Sequence, residues 1–273
     1  MFRRTTVALP SPSIHARAVV TGASQGIGRA IAKDLACMGH NLILVARRRD
    51  VLEQLAEELE QNHSVKVDVM ACDLANPEER ATLISELQGV EVNIIINSAG
   101  IASFGPFIDQ DWSYEDKQFE LNARAVFELT HAVLPGMIKR GTGAICNVGS
   151  AAGNVPIPNN ATYVLTKAGV NAFTEALHYE LRGTGVACTL LAPGPVREAV
   201  VDDAEKSIVD KVVPDFLWTT YESCSQETLA ALAANSRRVV PGPLSKAMNA
   251  ISAIAPTAVL SPLMGWFYKK LGS

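Results

Sequence analysis

From Arg17 onward, short apolar runs alternate with stretches in which apolar residues recur every three or four positions. The runs Arg17–Thr21, Asn41–Ala46, Val65–Ala71, Val92–Asn97, Ala144–Val148 and Val186–Ala192 are predicted strands. Several are continuously apolar, as expected of strands covered on both faces. Between them, RDVLEQLAEELEQ places Leu52, Leu55, Ala56 and Leu59 on one helical face. PEERATLISELQ reads as another helix, preceded by Asp73 and Asn76 as candidate caps. RRVVPG reads as a last short strand. This order implies an α/β fold with a parallel sheet and helices on both faces. The stretch from about Arg197 to Asn235 breaks the alternation and is expected to be an insertion of helices and loop after the sixth strand. With no internal repeat and no low-complexity linker, residues 16–246 read as one domain. Residues 1–15 read as a flexible leader and 247–273 as an apolar tail.

Composition narrows the class without naming a partner. The 273 residues are 48% hydrophobic, enough for a full core in one domain. The net charge of −4 is spread along the chain with no basic stripe, so nucleic acid is not an expected partner. Five scattered cysteines without a C-x-x-C spacing suit a reducing, cytoplasmic setting. Arg3 and Arg4 are not followed by an apolar run of signal-peptide length. From Ala247 to Tyr268 there is no charged residue, and the stretch closes on Trp266, Phe267, Tyr268, Lys269 and Lys270. Pro256 and Pro262, with several Ser, Asn and Thr residues, make a continuous spanning helix poor. Three readings of the tail stand: packing on the domain or a neighbouring subunit, peripheral contact with the inner face of the plasma membrane, or, least favoured by the prolines, a membrane span. No metal site is expected. The five histidines form no ligand pattern, and His131 and His178 read as structural.

Two constellations carry chemistry. The first strand runs into Thr21-Gly22-Ala23-Ser24-Gln25-Gly26-Ile27-Gly28, followed by a helical pattern. Glycines at such a turn let backbone approach a diphosphate, and the helix start offers unpaired N–H groups. After the second strand come Ala46 and then Arg47, Arg48 and Arg49, where an acid would bind ribose hydroxyls. A missing acid and an added guanidinium, Arg47 above all, favour NADPH/NADP+ over its unphosphorylated counterpart. Farther on, Tyr163 and Lys167 stand four apart, on one face of a predicted helix. An ammonium beside the phenol, and a positive nicotinamide, would lower the phenol's pKa and make Tyr163 a usable proton donor. Ser150, after the fifth strand, could hydrogen-bond the same carbonyl oxygen.

The glycine spacing G-x-x-x-G-x-G, with Ser150, Tyr163 and Lys167 in that order, resembles the short-chain dehydrogenase/reductase family. The resemblance implies a Rossmann-type doubly wound sheet of order 3-2-1-4-5-6-7 and reduction of a ketone to a secondary alcohol. It also implies further site residues. Gly22, Ser24, Gln25, Gly26, Ile27 and Gly28 would cradle the coenzyme. Asp73-Leu74 would meet the adenine, and Asn97, Ala99 and Gly100 would form the next turn. Asn122 would hold a water beside Lys167, although on physical grounds alone it reads as a helix-surface residue. Pro193, Gly194 and Val196 belong to P-G-P-V beside the nicotinamide, and Glu198 replaces the usual Thr. The family usually pairs through helices, so a homo-oligomer is expected.

Val200, Val201, Phe216, Leu217 and Trp218 lie in the lid, about 197–235, and suit a long lipid-like substrate or simply cover the domain. GSAAGNVPIPNNATY, LLAPGPVRE, VVPDFLW, VVPGPLSKAMN and FYKKLG are similar to family members that reduce the β-keto group of an α-alkyl-β-keto fatty acyl ester, a mycolate precursor. Two alternatives remain open: a generic 3-oxoacyl-thioester or steroid reductase, and a non-catalytic nucleotide sensor on the same fold.

Overall fold

The computed structural model describes residues 9–194, 196, 219–254, 258 and 260–262. Among them, seven strands form one parallel sheet of order β3-β2-β1-β4-β5-β6-β7. These are β1 (Ala16–Thr21), β2 (Leu42–Ala46), β3 (Val67–Ala71), β4 (Glu91–Asn97), β5 (Gly143–Val148), β6 (Val186–Leu191) and β7 (Arg238–Val239). The expected order and class are both present. Helices α1 (Gly26–Cys37), α2 (Arg49–His63), α3 (Pro77–Gln88), α4 (Trp112–Phe119), α5 (Ala125–Arg140) and α6 (Ala161–Glu180) follow the strands in turn. Two more, α7 (Tyr221–Ala233) and α8 (Pro243–Ile254), flank β7.

The continuous apolar runs have a direct reason. Successive strand residues point to opposite faces, and both faces are covered. Ala18, Val20, Leu42, Leu44, Ile94 and Ile96 pack in one layer with residues of α1, α2 and α7. Val19, Ile43, Val45, Ile95 and Ile145 pack in the other with residues of α3, α5 and α6. Of the two candidate caps, Asn76 is the one used for α3: its Oδ1 accepts from the Glu78 and Glu79 amides at 2.9 and 3.3 Å. Glu79 reaches back to the Asp73 amide at 2.7 Å, fixing the turn after β3.

Three expectations need correction. The described part of the leader is tied down: Asn41 Nδ2 donates to the Ser13 carbonyl at 3.1 Å, and Leu9 packs on the core. The end of the supposed insertion is core helix, because Cys224, Leu229 and Leu232 of α7 are buried against the sheet. Residues 197–218 of the lid lie outside the described residues, with Glu198 among them. The boundary drawn at 246 falls inside α8. There Asn249 Oδ1 accepts from Asn154 Nδ2 at 3.1 Å and Arg238 Nη1 at 3.2 Å, so the start of the tail packs on the domain. Among the described residues no helix is long and apolar enough to cross a membrane. Residues 263–273 lie outside them.

Candidate active site

The carboxyl ends of β1 and β4 lie side by side, with Thr21 paired to Asn97, where the strand order reverses. Such a switch point opens a crevice above the sheet. Gly22 and Gly26 take left-handed backbone, with φ of +67° and +60°. A Cβ on Gly28 would stand 2.6 Å from the Gly22 carbonyl oxygen, and one on Gly22 would stand 2.9 Å from Ala99 Cα. Only glycine permits this close turn. Thr21 Oγ1 stitches it to the next, accepting from the Ser98 and Ala99 amides at 3.0 and 3.1 Å. Gln25, which precedes α1, makes no side-chain cap, so the first N–H groups of α1 are left for a ligand. Ile27 is half-buried in that first turn. A tight glycine cradle under an uncapped helix start fits the diphosphate of a dinucleotide.

Of the three arginines after β2, the structure brings Arg48 to the cradle. Its Nη2 donates to Ser24 Oγ at 3.1 Å and to Gln25 Oε1 at 2.7 Å. Arg49 instead pairs with Glu53 along α2. Arg47 is exposed, and its charge acts on Asp73. Burial pushes the Asp73 carboxyl up, but the Lys117 hydrogen bond at 2.9 Å, the Ala75 amide and the Lys117 and Arg47 charges outweigh it and hold it below its usual value. Leu74 is buried, with its carbonyl bound by Arg80. Asn97 is buried at the end of β4, and its Nδ2 donates to Asn147 Oδ1 at 2.8 Å and Thr130 Oγ1 at 3.1 Å. Its side chain braces β4 against β5 and α5. Across the crevice, the Pro193 carbonyl accepts from the Ala151 amide at 3.0 Å. A Cβ on Gly194 would strike Ser245, and Val196 is bridged to Thr219.

The reacting groups converge beside these turns. Ser150 ends the stretch after β5 in extended backbone, and its hydroxyl is hydrogen-bonded to Tyr163. The Lys167 ammonium lies 5.7 Å from the Tyr163 ring centroid and donates to the Val148 carbonyl at 2.8 Å. Asn122 is fully buried in a π-helical turn, Glu120–Arg124, between α4 and α5. Its amide grips Ile101 at both backbone groups, at 2.9 and 2.8 Å. A Cβ on Gly100 would lie 3.2 Å from Asn122 Oδ1 and 3.5 Å from Lys167 Nζ, so Gly100 keeps the space between them open. One residue escaped the sequence reading. Asn171 holds the Ser150 backbone, donating to its carbonyl at 2.9 Å and accepting from its amide at 3.3 Å. Tyr163, Lys167 and Asn171 recur every four residues on α6, and that spacing was the signal available.

The electrostatics differ from the expected lowering of the Tyr163 pKa. Burial pushes the Tyr163 phenol up, and the Ser150 hydrogen bond only partly opposes it. The resting chain therefore holds Tyr163 as a neutral phenol, the form needed to give a proton. Burial pulls the Lys167 ammonium down to about 8. Below about pH 8 this residue is charged in the folded and the unfolded chain alike, and the fold carries the full desolvation cost. Between there and the ordinary lysine value of 10.5 the unfolded chain still binds a proton that the folded chain has released, so stability from this residue rises with pH. Relative to Lys167→Met, the parent should gain on the order of 3 kcal/mol across that window. Urea unfolding of both proteins at pH 7.5 and 10 measures it, and a constant difference would refute the assignment.

The four buried cysteines Cys72, Cys146, Cys188 and Cys224 are free thiols, and desolvation raises each of them, so none is a poised nucleophile. His178 Nδ1 lies 2.8 Å from the Cys188 carbonyl, in keeping with a structural histidine.

Residues 16–208 match the short chain dehydrogenase family. The chain belongs to that family. Among curated relatives of this short-chain dehydrogenase, the very-long-chain 3-oxoacyl-CoA reductase of Anas platyrhynchos is 35% identical over 209 residues, covering 75% of this chain and 67% of that protein. Its namesake in Laccaria bicolor is 40% identical over 169 residues, covering 60% and 50%. Alignments thus span about half to two thirds of the length of these relatives. Sulfoacetaldehyde reductase 2 of Chromohalobacter salexigens is 39% identical over 180 residues, covering 64% and 71%. A solved short-chain dehydrogenase from Sphingobium yanoikuyae, in complex with NADPH, superposes with a TM-score of 0.76 at 28% identity, covering 88% of this chain and 96% of that one.

Proposed function

We propose that this protein is an NADPH-dependent carbonyl reductase that turns a ketone into a secondary alcohol. The observation that carries the reading is the Ser150–Tyr163 hydroxyl pair, held beside the glycine cradle by Lys167 and Asn171. The coenzyme is NADP(H), held by the Thr21–Gly28 turn and by the Asp73–Leu74, Ala99–Gly100 and Pro193–Gly194 segments, with Arg47 and Arg48 on its adenosine phosphate. NADPH-bound neighbours of this fold support that choice. When bound, it supplies the hydride to the carbonyl carbon. Ser150 donates to the carbonyl oxygen and orients it. Tyr163 gives its phenolic proton to that oxygen as negative charge develops. Lys167 steadies the phenolate that remains, and Asn122 keeps Ile101 and the adjoining space in place for a water that returns the proton.

The substrate proposed is the β-keto group of an α-alkyl-β-keto fatty acyl ester in mycolic acid biosynthesis. The strings GSAAGNVPIPNNATY and VVPGPLSKAMN support it, through their similarity to the mycolate reductase of mycolic-acid-producing actinobacteria. The names of the very-long-chain 3-oxoacyl-CoA reductases favour a second reading, a straight-chain 3-oxoacyl thioester. Both are greasy β-keto acyl groups, differing at the α-carbon and the carrier. NADPH consumption with an α-branched β-keto ester, set against a straight 3-oxoacyl thioester, separates them. A clear preference for the thioester would remove the mycolate assignment, and no consumption with either would remove β-keto acyl reduction. In a deletion strain the branched product should be replaced by a lipid two hydrogens lighter. Exposed Phe127 on α5 and Leu165 on α6 support pairing through these helices in a homo-oligomer.

A further inference from the structure

Arg80 lies in a run, PEER, that looks solvated in sequence, yet its side chain is only 3% exposed. A buried guanidinium needs partners for its whole fork. Here Nε donates to Glu128 Oε2 at 2.7 Å, Nη2 to Glu120 Oε2 at 2.8 Å and Nη1 to the Leu74 carbonyl at 2.7 Å. Arg124 approaches the other oxygens of the same two carboxylates at 3.4 and 3.8 Å, so two arginines and two glutamates balance in charge.

The placement of those partners gives the cluster its meaning. Glu120 opens the π-helical turn that contains Asn122, and Glu128 lies in the first turn of α5 beyond it. One guanidinium therefore grips the helix on both sides of its irregular turn. π-turns are rare and persist where surrounding contacts over-determine them. The third contact, Leu74, belongs to the turn after β3 that also carries Asp73. Glu79, the residue before Arg80, fixes the same turn through the Asp73 amide.

We propose that Arg80 is a positioning residue of the reaction: it staples the π-turn so that Asn122 is aimed at Ile101 and Lys167, and it joins that turn to the Asp73–Leu74 side of the coenzyme groove. The inference rests on the reductase reading for its kinetic consequence, but the stapling itself is a property of the coenzyme-free chain.

Removing Arg80 outright would strand two carboxylates and could unfold the protein, so the test uses Arg80→Lys and Glu120→Gln in the full chain. Lysine keeps the charge but cannot fork, and glutamine keeps the shape but weakens one arm. In the coenzyme-free proteins, hydrogen exchange should quicken at the amides of Ile101 and of 121–124, while the amides of β1 and β5 stay as in the parent. Per folded molecule, kcat should fall about tenfold or more, as misplaced groups in a reaction centre do. The Kd for NADPH, read by fluorescence titration, should rise for Arg80→Lys and stay nearly constant for Glu120→Gln, which leaves the Leu74 contact intact. Variants that lose only thermal stability, with parental exchange at 121–124 and parental kcat, would overturn the proposal. If the parent protein itself reduces no ketone, the reductase reading fails, and the exchange measurement still decides whether Arg80 holds the turn.

Discussion

Tyr163→Phe is expected to lower turnover at least ~10²-fold while NADPH binding stays close to that of the parent. The substitution leaves the ring, and so the packing 5.7 Å from Lys167 Nζ, and deletes only the hydroxyl bound to Ser150. Coenzyme affinity should survive because the cradle is made by glycines, the start of α1 and the arginines after β2, none of which touches that hydroxyl. Ser150 would remain to orient the carbonyl, so a residual rate is expected, limited by proton supply from water. The pH dependence carries a second check. Burial raises the Tyr163 pKa, so reduction should be level through the neutral range as far as this acid is concerned and decline on the alkaline side, where the phenol is lost. Single-turnover kinetics with a β-keto ester, beside a fluorescence titration of NADPH, measure both parts. Parental turnover in the Phe variant would remove Tyr163 from the mechanism.

Arg47→Asp should weaken NADPH by roughly ten- to a hundredfold and leave NADH almost unchanged, the scale of one charge-assisted phosphate contact. Arg47 is exposed after β2 and makes its electrostatic contact with Asp73, which leaves it available to a phosphate in the groove. Arg48 should behave differently. It holds Ser24 and Gln25 at 3.1 and 2.7 Å, so it shapes the turn that any dinucleotide would use. Arg48→Ala is therefore expected to weaken both coenzymes, with NADPH weakened more. Titrations of the two variants with the two coenzymes give four affinities. Equal losses of NADPH and NADH in Arg47→Asp would show that this arginine does not read the phosphate.

Much of the fold was open to reading because it depends on short-range pattern. A strand covered on both faces must be apolar throughout, and β2, β4 and β6 stand within a residue or two of where the runs place them. Helix α7 was expected within the lid, and it packs in the core, for a physical reason. Its buried positions include Ser225 and Thr228, which are satisfied by Asp34 and the Cys224 carbonyl, so its core face does not look apolar in sequence. The candidate site divides in the same manner. Ser150, Tyr163 and Lys167 stand together as expected, since spacing along one helix and one turn sets them. Asn122, a surface residue by local reasoning, is fully buried because the π-turn rotates it inward against Ile101. The partners of the Asn97 side chain could not be read locally, because Asn147 and Thr130 meet it from elements distant in the chain.

By itself the sequence determined where the chain is extended, where it coils, and which turns can take only glycine, because those are matters of a few neighbouring torsions and the alternation of apolar positions. Tertiary structure alone decided which polar groups lose water and what they find in exchange. Arg80 between two glutamates, Arg48 on Ser24 and Gln25, Lys167 lowered and Tyr163 raised are all outcomes of desolvation and of partners far away in the chain. The cost of burying a charge depends on the whole enclosure, and no local pattern of residues encodes that.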